Sequence, residues 1–433
     1  MFNERLFDGD MITNCSTIID SIKKHSTYRK ECLNLMASEN IMSPMAAEVL
    51  SSDLANRYTV GRPYNRWFPG FRYYDKVEEL VEKIAKKLFH VNYVNVQAPT
   101  GMVANMAAYA TLLKPRDLVL SLGVKHSGHY SHVAENMLSL FQARVEPLPF
   151  DEEKYTIDVE KAMKLIKKTQ PKVIILGTSE FLFPAPIKEL RGVCDETQTK
   201  ILYDASHVSG LVAGQAFQNP MEEGADLLTM STNKTLAAPS HGIVACKDME
   251  IYQVKIERAM VPLLTSNHHA HHVAALAVTL AEFEAFGHAY AKQVIANAKA
   301  LARALYAEGT IVLCPEKDCT ESHTVLFDSV YPASEAVQLL AEANIISNAF
   351  QLPWNTEDFQ TGIRIGTNEL TRLGMKENEM ECIAKLMADV ILKRKSPIKV
   401  KKNVIELRSC FQKVHYCFEA SISLSGVPVV SGT

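Results

Sequence analysis

KILYDASHVSGLVAGQAFQNPMEEGADLLTMSTNKTLAAPSHG, residues 200–242, carries the pattern that decides the fold. Two short apolar runs, ILY at 201–203 and LLTM at 227–230, have the length of buried strands, and the segment between them reads as helix and turn. Strand, helix, strand implies parallel neighbours in one sheet, and in such sheets ligands gather at the carboxyl ends of the strands. Asp204 closes the first run, His207 follows it, and Lys234 comes just after the second. The nearest formal charges to Lys234 in the sequence are Asp226 and Lys247, so nothing local offers its ammonium a partner.

The pattern extends in both directions. Upstream, DKVEELVEKIAKKLF at 75–89 has apolar residues at helical spacing, YVNVQ at 93–97 reads as a strand and GMVANMAAYATLL at 101–113 as a helix. Further strands are predicted at LVLSL (118–122), KVIILG (172–177) and GIVAC (242–246). The fold class expected is α/β, with a large mixed sheet covered by helices on both faces. A helical stretch from about 270 to 305 leads to a smaller α+β lobe carrying GTIVLC (309–314), SHTVLFDS (322–329) and GIRIGTNELT (362–371). The expected organisation is an N-terminal arm at 1–45, a large domain at 46–290, a small C-terminal domain at 291–395, and a tail helix with its extension at 396–433.

Bulk properties exclude several function classes. The chain has 433 residues, 46 basic against 49 acidic, which leaves no electrostatic footprint for nucleic acid or an anionic membrane. No apolar run reaches the roughly 18 residues of a membrane span, and the N-terminus lacks a signal-peptide pattern. Nine cysteines without a C-x-x-C pair or zinc spacing read as reduced thiols, and a cytoplasmic compartment is expected. The HHAHH run at 268–272 resembles a metal tract, but no acid or cysteine nearby in sequence completes it, and no metal is expected.

A lone lysine after a strand is usually a solvated loop residue. It can also be a desolvated amine that forms a Schiff base with a carbonyl cofactor. Asp204 tips the balance, because pyridoxal phosphate chemistry needs a carboxylate beside the pyridinium nitrogen as well as the lysine. Thr100 and Gly101, where a helix should begin, would supply the phosphate cradle.

Five stretches then resemble a known family: NLMASEN (34–40), VNVQ with GMVAN (94–105), YDASHVSGLVAG (203–214), STNKTLAAP (231–239) and TGIRIGTNELTRLG (361–374). They are similar to serine hydroxymethyltransferases, fold-type I (aspartate aminotransferase-like) pyridoxal 5'-phosphate enzymes, over about residues 30–392. The resemblance implies Lys234 as the Schiff-base lysine, Asp204 as the pyridinium partner, His207 beside the ring hydroxyl and His126 stacked on the ring. It implies Thr100, Gly101 and Met102 around the phosphate with Ser231 near it, Arg364 on the substrate carboxylate, and Ser179, Ser38 and His129 lining that pocket. Tyr58 would reach the cofactor of a neighbouring subunit, implying a homodimer.

The departures are equally specific. Val60 stands where the family has a glutamate that meets folate and the one-carbon unit; Trp67 and Phe68 replace a tyrosine pair; Phe350 replaces an asparagine that contacts folate. Asn233 and Ser240 stand where the family usually has histidine and arginine. These changes resemble the L-threonine transaldolase branch, found in natural-product pathways, so the leading expectation is folate-independent exchange of the aldehyde half of a β-hydroxy amino acid. The alternatives are folate-dependent serine–glycine hydroxymethyl transfer, a racemase or condensing enzyme on the same scaffold, and an idle paralogue.

Overall fold

Apolar runs such as Val173–Leu176 and Leu227–Met230 are buried throughout their length, which requires cover on both faces of the sheet they form. A computed structural model describes residues 9–356 and 358–419. Its large sheet contains β1 (Tyr93–Ala98), β2 (Leu118–Ser121), β3 (Arg144–Pro147), β4 (Val173–Leu176), β5 (Lys200–Asp204), β6 (Leu227–Ser231) and β7 (Gly242–Cys246). The order across the sheet is β1-β7-β6-β5-β4-β2-β3, with β7 antiparallel to both neighbours and the other pairs parallel. Asp204 at the end of β5 lies opposite Thr229 of β6. Strand β3 had no signal in the sequence: it is an edge strand whose Arg144, Glu146 and Pro147 are exposed, so no apolar run marks it.

Helix α1 (Gly9–Lys30) leads into an arm, α2 (Arg72–Phe89) packs on the sheet, and α3 (Gly101–Leu112) follows β1 directly. Helix α4 (Ala270–Ala307) has 38 residues, about 57 Å at 1.5 Å per residue. Its Val273, Leu276, Leu280 and Phe283 join the core of the large lobe, whereas Ala298, Leu301 and Leu305 join that of the small lobe. The expected boundary at 290/291 therefore falls inside one continuous helix.

The small lobe has a four-stranded antiparallel sheet of β8 (Ile311–Val312), β9 (Thr324–Asp328), β10 (Asn348–Phe350) and β11 (Gly362–Gly366), ordered β8-β9-β11-β10. On β11, Ile363 and Ile365 enter the core while Arg364 is only partly buried, as the two-residue period of a strand requires. Helices α5 (Glu377–Ile391) and α6 (Pro397–Ser409) cover it, with Val400 and Val404 of α6 fully buried and Arg408 Nε donating to Cys32 O at 3.1 Å.

The expected N-terminal arm packs on the small lobe. Leu33 and Leu35 lie in the core of the small lobe, and Leu33–Asn34 pairs in parallel with Ile345–Ile346. Apolar side chains three and five residues past a polar helix need a core, and the small lobe provides it. Residues 420–433 of the expected tail lie outside the described residues. Among the described residues no helix is long and apolar enough to cross a membrane.

Candidate active site

The carboxyl ends of β1, β4, β5 and β6 converge on an inner recess of about 60 Å³, lined by Gly101, Met102, Asp204, His207, Ser231 and Lys234 among others. His129, Ser179, His207 and Lys234 also line an outer cavity of about 520 Å³, whose far wall carries Arg364, Ser38 and Phe350.

Asp204 is buried and strongly held. Its Oδ2 accepts from Asn105 Nδ2 at 2.8 Å and meets His132 Nε2 at 3.1 Å, while Oδ1 accepts from the amide and hydroxyl of Ser206 at 2.9 and 2.5 Å. Burial alone would raise its pKa; the His132, Ser206 and Asn105 contacts outweigh that and hold it well below the usual carboxylate range. Asn105 is fixed in turn by Thr229 Oγ1, 2.6 Å from its Oδ1, and His132 Nδ1 lies 2.6 Å from the Tyr109 hydroxyl. The site thus presents a carboxylate that stays anionic.

Lys234 sits in a loop pinned on all sides. Thr235 Oγ1 donates to His207 O at 2.8 Å, Thr232 Oγ1 donates to Pro239 O at 2.5 Å, and Asn40 Nδ2 donates to Lys234 O at 2.8 Å. The amine itself has no hydrogen bond or ion pair among the described residues. Burial pushes its pKa down to about 8; Asp204 and Glu180 oppose the shift and Arg364 adds to it.

Thr100 caps α3 with its hydroxyl, which accepts from Val103 N at 3.2 Å, and it is exposed rather than part of the recess wall. Gly101 and Met102 line the recess, and as the first residues of the helix their N–H groups have no intrahelical partner. A Cβ on Gly101 would come within 2.1 Å of Ser231 Oγ, so only glycine lets β6 approach this cradle.

The ring-stacking residue expected at His126 is corrected. His126 lies outside both cavities: its ring stacks on Phe150 at a centroid distance of 4.9 Å, and Nε2 meets Glu152 Oε1 at 3.1 Å. His129, one short turn further on and past Ser127 in the left-handed region (φ 67°), lines both cavities instead. Burial pushes its pKa down to about 4. His207 is buried with its Nδ1 unpartnered, its pKa driven well below the ordinary histidine value by burial and by Lys234, and its ring stacks on His323 at 5.8 Å.

Arg364 Nε donates to Asn348 Oδ1 at 3.1 Å, and Nη1 donates to Ser179 O at 3.0 Å and Glu180 Oε1 at 2.9 Å. Its Nη2 donates to no group among the described residues and remains for a carboxylate. Tyr58 is exposed and meets Phe68 edge-on at 5.8 Å, away from this chain's own cavity. His268 does have an acid, Glu78 Oε2 at 3.2 Å, but both belong to a buried polar cluster with Tyr74 and Arg66. No group of three or more metal-capable side chains occurs among the described residues.

The serine hydroxymethyltransferase family profile matches residues 12–387. This chain belongs to the serine hydroxymethyltransferase family. Serine hydroxymethyltransferase of Methanopyrus kandleri is 45% identical over 94% of this chain and 96% of its own length. That of Methanosphaera stadtmanae is 43% identical, covering 92% and 94%. Among solved structures, L-threonine transaldolase from Pseudomonas fluorescens superposes with a TM-score of 0.87 at 27% identity, covering 95% of this chain and 96% of that one. The protein is a pyridoxal-phosphate-dependent transferase of fold type I. Its recess fits that cofactor: an unpartnered amine, a permanently anionic carboxylate, a glycine cradle at a helix start and an orphaned buried imidazole nitrogen converge there.

The structure also shows residues around the site that sequence reasoning overlooked. Asn105 and His132 hold Asp204, and both leave a trace: Asn105 is the one amide side chain within MVANMAAYA, and His132 continues a three-residue histidine spacing from His126 and His129. Glu180 left none, because only the fold brings it to Arg364.

Proposed function

We propose that the protein makes and breaks the Cα–Cβ bond of β-hydroxy-α-amino acids, with serine–glycine hydroxymethyl transfer as its leading reaction. The observation that carries this is the unpartnered Lys234 amine facing a cavity whose far wall is Arg364. The ordering reverses the expectation drawn from Val60 and Phe350. The relatives at 45% and 43% identity are named hydroxymethyltransferases, while the transaldolase likeness is to a structure at 27% identity.

Bound pyridoxal phosphate supplies an aldehyde for the lysine and a ring that takes up the electron pair released at Cα. The chain's own residues do the rest. Lys234, whose pKa is near 8, offers a neutral amine at mildly alkaline pH at little cost. Asp204, held anionic by His132, Ser206 and Asn105, would pair with a protonated ring nitrogen. Gly101 and Met102, at the start of the helix, would hold the phosphate with their free amide N–H groups and the helix dipole. Arg364 Nη2 holds the substrate carboxylate and thereby turns the Cα–Cβ bond, while His129 and His207 wall the inner recess against water.

L-Threonine transaldolase chemistry is the second reading, favoured by two apolar residues. Val60 is 3% exposed and offers no carboxylate, and Phe350 lines the outer cavity. Serine cleavage measured with and without tetrahydrofolate, beside threonine with benzaldehyde as acceptor, tests both. Serine turnover that requires the folate supports the first reading; acetaldehyde release with capture of benzaldehyde supports the second; neither activity overturns both. The exposed Tyr58, Trp67 and Phe68 suit burial against a second copy, and we assign a homodimer, to be checked by sedimentation.

A further inference from the structure

Cleavage of a β-hydroxy amino acid needs a group that takes the hydroxyl proton as the Cα–Cβ bond breaks. Three nearby side chains do not meet this need. His126 lies outside the cavity against Phe150 and Glu152. Glu39 faces the arm, where it bonds Arg29 at 2.6 Å and Asn34 at 2.9 Å, and it lines neither cavity. His129 lines the cavity, but with its pKa pushed down to about 4 by burial it is a poor proton acceptor, and its Nδ1 is held by Ser131 at 2.7 Å.

One carboxylate remains on the outer cavity wall, Glu180. It follows Ser179 in the loop after β4, shares the cavity with Lys234 and His207, and is 8% exposed. Only Oε1 bonds Arg364, at 2.9 Å, and Arg364 Nη1 divides that interaction with Ser179 O at 3.0 Å. Ser127 approaches the same carboxyl group, and its hydroxyl is 2.7 Å from Tyr155 OH, so the carboxylate is braced from behind and open toward the cavity.

We propose that Glu180 is the catalytic base that removes the β-hydroxyl proton of the substrate during Cα–Cβ cleavage and returns it in the reverse direction. The proposal rests on the Cα–Cβ reading above. The O–H proton passes to the Glu180 carboxylate, the oxygen's electron pair closes the aldehyde C=O, and the Cα–Cβ pair stays with the amino-acid half; a proton from water then completes glycine at Cα, and Glu180 returns its proton to water. In synthesis the alkoxide formed on the aldehyde takes its proton from Glu180. No oxidant or further reactant is required. Burial raises the pKa of Glu180, against the opposing pull of Arg364 and Ser127, which moves this carboxyl toward the range useful for a base near neutral pH. The adjacency to Arg364 is functional as well, because the guanidinium that receives the substrate carboxylate sets the β-carbon beside its neighbour.

The test separates hydroxyl chemistry from the rest of the site. The pyridoxal-phosphate-loaded wild type, Glu180→Gln and Glu180→Asp are compared in three measurements: aldehyde release from serine and threonine, α-proton exchange of glycine in deuterated water, and the glycine dissociation constant by calorimetry. Glycine has no β-hydroxyl, so E180Q should keep its glycine affinity and exchange rate within about threefold while cleavage falls at least about 100-fold. E180D keeps a carboxylate retracted by one methylene and should recover at least about tenfold of that loss. Cleavage by E180Q at the wild-type rate overturns the proposal. So does a parallel loss of glycine binding and exchange, which would make Glu180 a support for Arg364, and so does an E180D no faster than E180Q. Wild type that exchanges glycine but cleaves neither hydroxy acid overturns the Cα–Cβ reading, and the proposal with it.

Discussion

Replacing Lys234 with methionine should stabilise the cofactor-free protein. Its amine has a pKa of about 8 in the fold against 10.5 as an ordinary lysine, because burial disfavours the ammonium. The difference corresponds to about 3 to 4 kcal/mol. The sign follows from proton counting: between pH 8 and 10.5 the unfolded chain holds more protons at this site than the folded one, so this contribution to stability rises with pH across that window. Below it the wild type bears the full penalty of a buried ammonium, which methionine, of similar length and without charge, does not have. For 433 residues at about 2.1 cal/mol/K each, the unfolding entropy is about 0.9 kcal/mol/K, so the gain at pH 7 amounts to about 4 °C in Tm. The assay is thermal unfolding of both cofactor-free proteins from pH 7 to 11. The difference should be greatest at pH 7, fall by about half near pH 9 and vanish above pH 11. An unchanged or lowered Tm at pH 7, or a difference that does not vary with pH, refutes the reasoning.

Two further outcomes follow from the same geometry. His129→Ala should weaken pyridoxal phosphate binding by about two- to tenfold through loss of ring stacking, whereas His126→Ala should leave it unchanged, measured by titrating the cofactor absorption. Gly101→Ala puts a methyl 2.1 Å from Ser231 Oγ and should weaken cofactor affinity at least about tenfold; adding Ser231→Gly, which removes the obstructing side chain, should restore most of it.

The two strands of residues 200–242 were legible because each apolar run is buried along its length, so burial wrote itself into composition. Lys234 and Asp204 were legible for the opposite reason, as charged residues at the ends of apolar runs, Lys234 without a charged neighbour in sequence. Edge strand β3 was not, since exposed Arg144 and Glu146 look like any loop. The histidine over the cavity was misassigned because three histidines recur at the same spacing, and only the path of the loop through Ser127 decides which one turns inward.

By itself the sequence determined the α/β class, the family and pyridoxal phosphate as the cofactor, and it singled out Lys234 and Asp204 as candidates to hold it, since these depend on periodicity and on residues whose chemistry is scarce. What only the tertiary structure decided is which groups act on one another across the cavity: His132 and Asn105 on Asp204, the arm's Asn40 on the Lys234 loop, and Glu180 beside Arg364, 184 positions away. Coulomb energy and desolvation depend on distance through space, and separation along the chain carries no information about that distance once a sheet and a 38-residue helix have brought the lobes together.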